Sequence, residues 1–168
     1  GAFIITKAQA RGQEAKETFF YDSFNRLIKK VDPLGYATRT FYEDSLHQKT
    51  TVDPLGLQTI ERFNSHYCLN ALEKRSSLDE LLLREENFYD ANDHLICKES
   101  SLFNPDRFIA TQWEYGPLDQ LLTLIEAAES AQQKVTRYSY TAKGLLHKTI
   151  KSSGVTLTNS YNPLDHLT

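Results

Sequence analysis

At 168 residues the chain suffices for one domain, and an apolar fraction of 40% allows a modest core rather than a generous one. Nineteen Lys and Arg against 22 Asp and Glu leave a net charge of −3, which argues against nucleic acid or an anionic membrane as the main partner. The two cysteines, Cys68 and Cys97, fit no zinc or redox spacing and read as buried intracellular thiols, and no apolar run reaches the length of a membrane span or a signal peptide.

The chain is repetitive. Aligned on a shared aromatic, it gives Tyr21, Tyr42, Phe63, Tyr89, Tyr115, Tyr140 and Tyr161, spaced by 21, 21, 26, 26, 25 and 21 residues. Six residues after each aromatic stand Leu27, Gln48, Leu69, Leu95, Leu121, Leu146 and Leu167, so six of the seven are leucine. Four residues after it come Asn25, Leu46, Tyr67, Asp93, Asp119, Gly144 and Asp165, and five of these seven belong to the types that best tolerate a positive φ.

In chain order, the first copy opens with a turn at Asp22-Ser23-Phe24-Asn25, a type I turn closed by a left-handed residue. The same pattern fits Asp90-Ala91-Asn92-Asp93, Gly116-Pro117-Leu118-Asp119, Thr141-Ala142-Lys143-Gly144 and Asn162-Pro163-Leu164-Asp165. Between these lie a second set, Asp32-Pro33-Leu34-Gly35, Asp53-Pro54-Leu55-Gly56 and Lys151-Ser152-Ser153-Gly154, each starting eleven residues after a repeat aromatic. Each repeat therefore holds two turns and two strands of six or seven residues, such as 26–31 and 36–42. The expected fold is an all-β antiparallel meander of about seven hairpin repeats, one segment covering 1–168. Because the chain starts on Gly1 and stops within a turn, it reads as a fragment of something longer.

Period-two alternation puts Phe19 with Tyr21, Trp113 with Tyr115 and Tyr138 with Tyr140 on one face. Beyond the turn it groups Leu27, Lys29 and Val31, and likewise Leu121, Thr123 and Ile125, leaving Arg26, Ile28 and Lys30 opposite. The longer copies fit if the far hairpin gains two residues per strand, plus one in a bulge or loop. Asn104-Pro105-Asp106-Arg107 is the expected far turn of the fourth copy, and the third should turn near Ser77-Leu78-Asp79-Glu80. Helix competes with strand at 77–86, where Ser77 and Glu80 form a capping box, and at 118–133, but the repeat columns on either side favour strand.

Tyr21-Asp22-Ser23-Phe24-Asn25-Arg26-Leu27 followed by Asp32-Pro33-Leu34-Gly35, with Tyr89-Asp90 and His94-Leu95-Ile96 as a second copy, resembles the YD repeat of the Rhs family. The resemblance runs over residues 12–168, with Tyr-Asp giving way to Tyr-Gly, Tyr-Thr or Tyr-Asn in later copies. It implies a β-sheet wall spiralling into a hollow shell, as in bacterial Rhs proteins, the C components of ABC toxins and teneurins. The partners it implies are neighbouring repeats of the same chain and an enclosed toxin or effector polypeptide. It also implies a secreted or cell-surface parent. The family's self-cleaving core has aspartates in an Asp-Pro-x-Gly-Leu setting, matched by Asp53-Pro54-Leu55-Gly56-Leu57, but the Tyr-rich Asn-Pro segment expected upstream is absent and Asp53 aligns with the turn residue Asp32.

Other constellations read as structural. His47, His94 and His166 share the column five after the aromatic, yet equivalent residues two strands apart lie roughly 9–10 Å from one another, too far to converge on one ion. Glu85, Glu86, Glu126 and Glu129 read as solvated strand positions, and no nucleophile elbow, phosphate loop or dinucleotide fingerprint occurs, so neither an enzyme nor a cofactor is expected. The densest aromatic cluster, Trp113, Tyr115, Tyr138 and Tyr140, is the candidate glycan-stacking platform of an adhesion module; the competing reading makes it a ladder holding strands together.

Overall fold

The computed structural model describes residues 2–6, 16–104 and 107–168. Its strands are β1 (Ala2–Thr6), β2 (Lys16–Tyr21), β3 (Leu27–Val31), β4 (Ala37–Glu43), β5 (Gln48–Val52), β6 (Gln58–Phe63) and β7 (Leu69–Arg75). There follow β8 (Leu81–Tyr89), β9 (Leu95–Leu102), β10 (Ile109–Tyr115), β11 (Leu121–Ala128), β12 (Lys134–Tyr140), β13 (Leu146–Lys151) and β14 (Thr156–Thr158). They succeed one another across the sheet in chain order, the antiparallel meander expected from the repeat. The segments 77–86 and 118–133 form strand and turn, and the only helix among the described residues is a 3-10 turn at Asp44–Leu46. Two compact units make up the chain: Gly1–Glu85 with Leu102–Pro105, and Glu86–Ser101 with Asp106–Thr168.

The turns are built by their first residue. Asp22 Oδ1 accepts the amides of Phe24 and Arg26, and Asp32, Asp53, Asn64, Asp90 and Asn162 repeat this two-bond pattern at distances of 2.8–3.0 Å. The short side chain holds the backbone in a turn against the alternative of continuing the strand, and its fourth residue closes the loop in the left-handed region. Asn25, Gly35, Gly56, Asp93, Asp119, Gly144, Gly154 and Asp165 all have φ between 58° and 88°, as their types require. Arg26 and His94, through their amides first, hold the Asp22 and Asp90 carboxyls below their usual range.

Two turns depart from the expected positions. In the second copy the left-handed residue is His47 (φ 47°) and not Leu46, because the 3-10 turn adds one residue after Glu43. The third copy's far turn opens at Ser76 and closes at Asp79 (φ 66°), one residue earlier than its sequence suggests. The expected turn at Asn104-Pro105-Asp106-Arg107 falls partly outside the described residues.

Strand faces also differ from simple alternation. Tyr21 pairs with Leu27, but Phe20 pairs with Lys29, so one residue is extra; the same slip recurs at Phe63 and Leu69, Tyr115 and Leu121, and Tyr140 and Leu146. Cross-strand partners share a face. The bulge therefore separates Leu27 from Lys29, and Leu121 from Thr123 and Ile125, correcting the expected grouping. Lys29 lies over the Phe20 ring and Lys30 over Phe19, each sheltering an aromatic face with its ammonium group.

The bulge explains the aromatic column. After it, the ladder to the next strand starts only at Lys29, Cys97, Thr123 and Lys148, two residues beyond the column leucine. The leucine carbonyl is met instead by the next repeat's tyrosine: Tyr42 donates its hydroxyl to Leu27 O (3.3 Å), Tyr115 to Leu95 O (3.2 Å), Tyr140 to Leu121 O (2.8 Å) and Tyr161 to Leu146 O (2.7 Å). Where the column holds Phe63, no hydroxyl is needed, since Gln48 pairs directly with Arg62 and the Phe63 amide reaches His47 O. Tyr140→Phe should therefore cost about 1 kcal/mol in chemical denaturation by orphaning the Leu121 carbonyl, whereas Phe63→Tyr should gain nothing measurable. Equal effects of the two substitutions would show that the hydroxyl is not the working part.

Little is enclosed. Among the described residues Ala128 is the one buried hydrophobic side chain, while Glu73 and Ser101 are the buried polar ones. The strands are held by ladders, turns and half-buried ring and aliphatic contacts rather than by an interior.

Candidate functional site

The four aromatic candidates come together on one face of the second unit. Trp113 and Tyr115 lie on β10, Tyr138 and Tyr140 on β12, with β11 between them. Register places Trp113 beside Leu124 and Leu124 beside Thr136, and Tyr138 follows two residues on from Thr136. All four rings are half-buried.

Their polar ends divide them into two pairs. Tyr115 and Tyr140 spend their hydroxyls on the Leu95 and Leu121 carbonyls, and Tyr115 is further covered by the His94 ring at 4.8 Å. Burial first, then the neighbouring Tyr138, pushes the Tyr140 phenol up. Trp113 and Tyr138 take part in neither arrangement, which leaves the indole N–H and the Tyr138 hydroxyl available to a ligand. This division was invisible in the bare pattern, although a hint stood in the column itself: Tyr115 and Tyr140 are repeat aromatics, Trp113 and Tyr138 are not.

A groove in the first unit escaped sequence reading. It measures about 520 Å3 and is lined by Tyr42, His47, Phe63 and Tyr67 with Arg26 and Lys49 among its polar walls. Tyr67 occupies a left-handed turn position (φ 62°) held in most other copies by Asn, Asp or Gly, and its ring is 80% exposed. The only sequence signal was that odd residue in the fourth-after-aromatic column.

The remaining candidates serve the scaffold. Asp53 opens a turn, accepting the Leu55 and Leu57 amides on one oxygen, which is the job its alignment with Asp32 suggested. His166 donates its amide to Asn162 Oδ1, His47 closes a turn, and His94 lies between two repeats. The Cys97 thiol is pushed up by burial first and then by Glu99 and Glu129, the wrong direction for a nucleophile.

Residues 21–58 match the family model described as RHS Repeat. No curated protein sequence matches the chain. Among solved structures, its fold is similar to that in the crystal structure of TcdB2-TccC3-Cdc42, with a TM-score of 0.53, 13% identity and 91% of this chain covered. It is also similar to TcdB2-TccC3 alone (TM-score 0.52, 14% identity, 90% covered) and to a Photorhabdus luminescens Tc holotoxin pore carrying a TccC3 variant (0.50, 14%, 96%). The chain spans only about a tenth of the length of these structures, 10%, 10% and 11% respectively.

Proposed function

We propose that this structural repeat segment is a length of wall in an Rhs-type shell that encloses or presents a toxin or effector polypeptide. The observation that carries the reading is the absence of a private interior: one buried hydrophobic side chain among the described residues, in a sheet whose strands pair only with their neighbours in sequence. Such a sheet grows by adding repeats and offers broad half-apolar faces to another chain. The likeness of its fold to TcdB2-TccC3 assemblies supports the same reading. In the full reading frame that carries this segment, an enclosed polypeptide should resist added protease until the wall is opened by Gly56→Val. Digestion of that polypeptide at the same rate with either wall would overturn enclosure.

Glycan binding is the second reading, favoured by the uncommitted polar ends of Trp113 and Tyr138. It makes a divided expectation for retention on immobilised polysaccharides: Trp113→Ala and Tyr138→Ala lose retention, while Tyr115→Phe and Tyr140→Phe keep it and instead lower the melting temperature. The absence of retention by the unaltered chain across a broad polysaccharide panel would remove the adhesion role.

A further inference from the structure

On β3–β6 every cation but two meets a carboxylate. Lys30 lies 2.8 Å from Glu17, Lys49 2.6 Å from Glu61 and Arg62 3.2 Å from Glu73. Lys29 and Arg39 have no carboxylate partner among the described residues, and the register sets them directly opposite one another on β3 and β4. Cross-strand partners share a face, and like charges so placed destabilise a sheet. The pair therefore carries a cost that a bound anion would cancel.

Lys29, Arg39 and Phe41 line an open groove of about 420 Å3, at the place where the β3–β4 ladder ends. Phe41 follows Arg39 by two residues along β4, on the same face, and is 56% exposed. Asp22 on the groove wall is already engaged, because its Oδ2 receives Arg26 Nε at 2.8 Å and its Oδ1 the amides of Phe24 and Arg26. Glu43, the carboxylate of β4 on this face, stands four residues from Arg39, roughly 13 Å along the strand. Lys29 Nζ lies 5.1 Å over the Phe20 ring, which attracts the charge without neutralising it.

These surroundings select among anions. A polyanion such as nucleic acid presents a dense row of charges and is opposed by the chain's net charge of −3. Two cations beside an exposed ring suit a short ligand that carries two carboxylates and an apolar side chain. We propose that Lys29, Arg39 and Phe41 form a recognition site for an acidic segment of another polypeptide, its carboxylates on the two cations and an apolar side chain against Phe41. The partner is the polypeptide of the wall reading, on which this assignment rests, and the site adds its chemistry.

The test titrates acetyl-Glu-Gly-Glu-Gly-Phe-amide into the isotope-labelled full chain, followed by NMR. Alternation puts the two carboxylates and the ring on one side of the extended peptide. Amides at residues 29 and 39–41 should shift saturably, and acetyl-Gln-Gly-Gln-Gly-Phe-amide should bind at least about tenfold more weakly. Arg39→Glu should weaken binding by at least about tenfold as well, yet lower the unfolding equilibrium constant in urea about threefold, because an opposite charge then faces Lys29. Lys74→Gln, which removes an exposed cation of β7, should leave binding unchanged. Equal binding of the two peptides, shifts centred away from the groove, or an Arg39→Glu chain that binds as well as the unaltered one would overturn the proposal. Loss of binding together with lower stability would make Arg39 a scaffold residue and overturn it too. Tighter binding of an oligogalacturonate than of the acidic peptide would give the site to an acidic glycan instead. No saturable shift at all would sink the site while leaving the wall reading standing, since protease protection in the full reading frame is measured separately; peptide binding without protection would sink enclosure alone.

Discussion

Gly56→Ala is expected to destabilise the chain by about 3 kcal/mol, and Gly35→Ala by only about 1 kcal/mol, although both residues close the same type of turn. Each sits in the left-handed region, at φ 85° and 88°, where a Cβ costs on the order of 1–2 kcal/mol. The surroundings make the difference. A Cβ on Gly35 meets nothing within 4 Å, whereas one on Gly56 comes within 2.8 Å of the Ser77 Cβ in the turn of the next hairpin. That atom is tied to backbone, so the two turns must move apart and strain their ladders. Urea titrations of the two variants measure both costs. Equal losses would mean that the turns do not touch.

Glu73→Ala should cost about 2 kcal/mol and should also change how the chain responds to acid. Glu73 is 8% exposed and receives Arg62 Nη1 at 3.2 Å and Arg75 at 3.1 and 3.2 Å. Removing one member of a buried ion pair costs about 3–5 kcal/mol, but the Arg62 and Arg75 side chains are 42% and 30% exposed and can turn to water, which reduces the figure. Burial pushes the Glu73 carboxyl up, and the hydrogen bonds and charges of Arg75 and Arg62 outweigh it, leaving the group lowered overall. A carboxyl lowered by folding contributes its stability above its unfolded value and loses it as pH falls through the folded one. Denaturation midpoints followed from pH 6 to pH 3 should thus fall more steeply for the unaltered chain than for Glu73→Ala. Identical slopes would show the two arginines leave Glu73 no better placed than in the unfolded chain.

Strands and turns were legible because each is decided within a few residues. Asp32 with Gly35, or Thr141 with Gly144, specifies a turn through a side-chain acceptor and a tolerant φ, and the strands follow as what lies between. The bulge after the turn was not legible, because it arises when two strands pair and leaves no mark on the hydrophobic period of 27–31. That one slip moved Lys30 onto the face of Phe19 and spoiled the expected grouping. The extra residue before His47 had a similar origin: a 3-10 turn in place of a type I turn is a choice of hydrogen bonding, and Leu46 against His47 in the left-handed position looks unfavourable either way. Of the candidate site, the common face of Trp113, Tyr115, Tyr138 and Tyr140 follows from alternation within each strand and the antiparallel order. Which hydroxyls are already occupied depends on the carbonyls of Leu95 and Leu121, which only the paired strands reveal.

The tyrosine bonds span 15, 20, 19 and 15 residues of sequence, yet each fastens the same two atoms at the same end of its repeat. Every difference in repeat length is therefore taken up beyond the bond, in the far hairpin arms. Within each unit, the margin that carries these bonds is a fixed hem and the opposite one is free to be scalloped. Insertions and deletions can accumulate along the free margin without disturbing the stitching, so a lineage of such chains would vary in length there while its hem stayed in step.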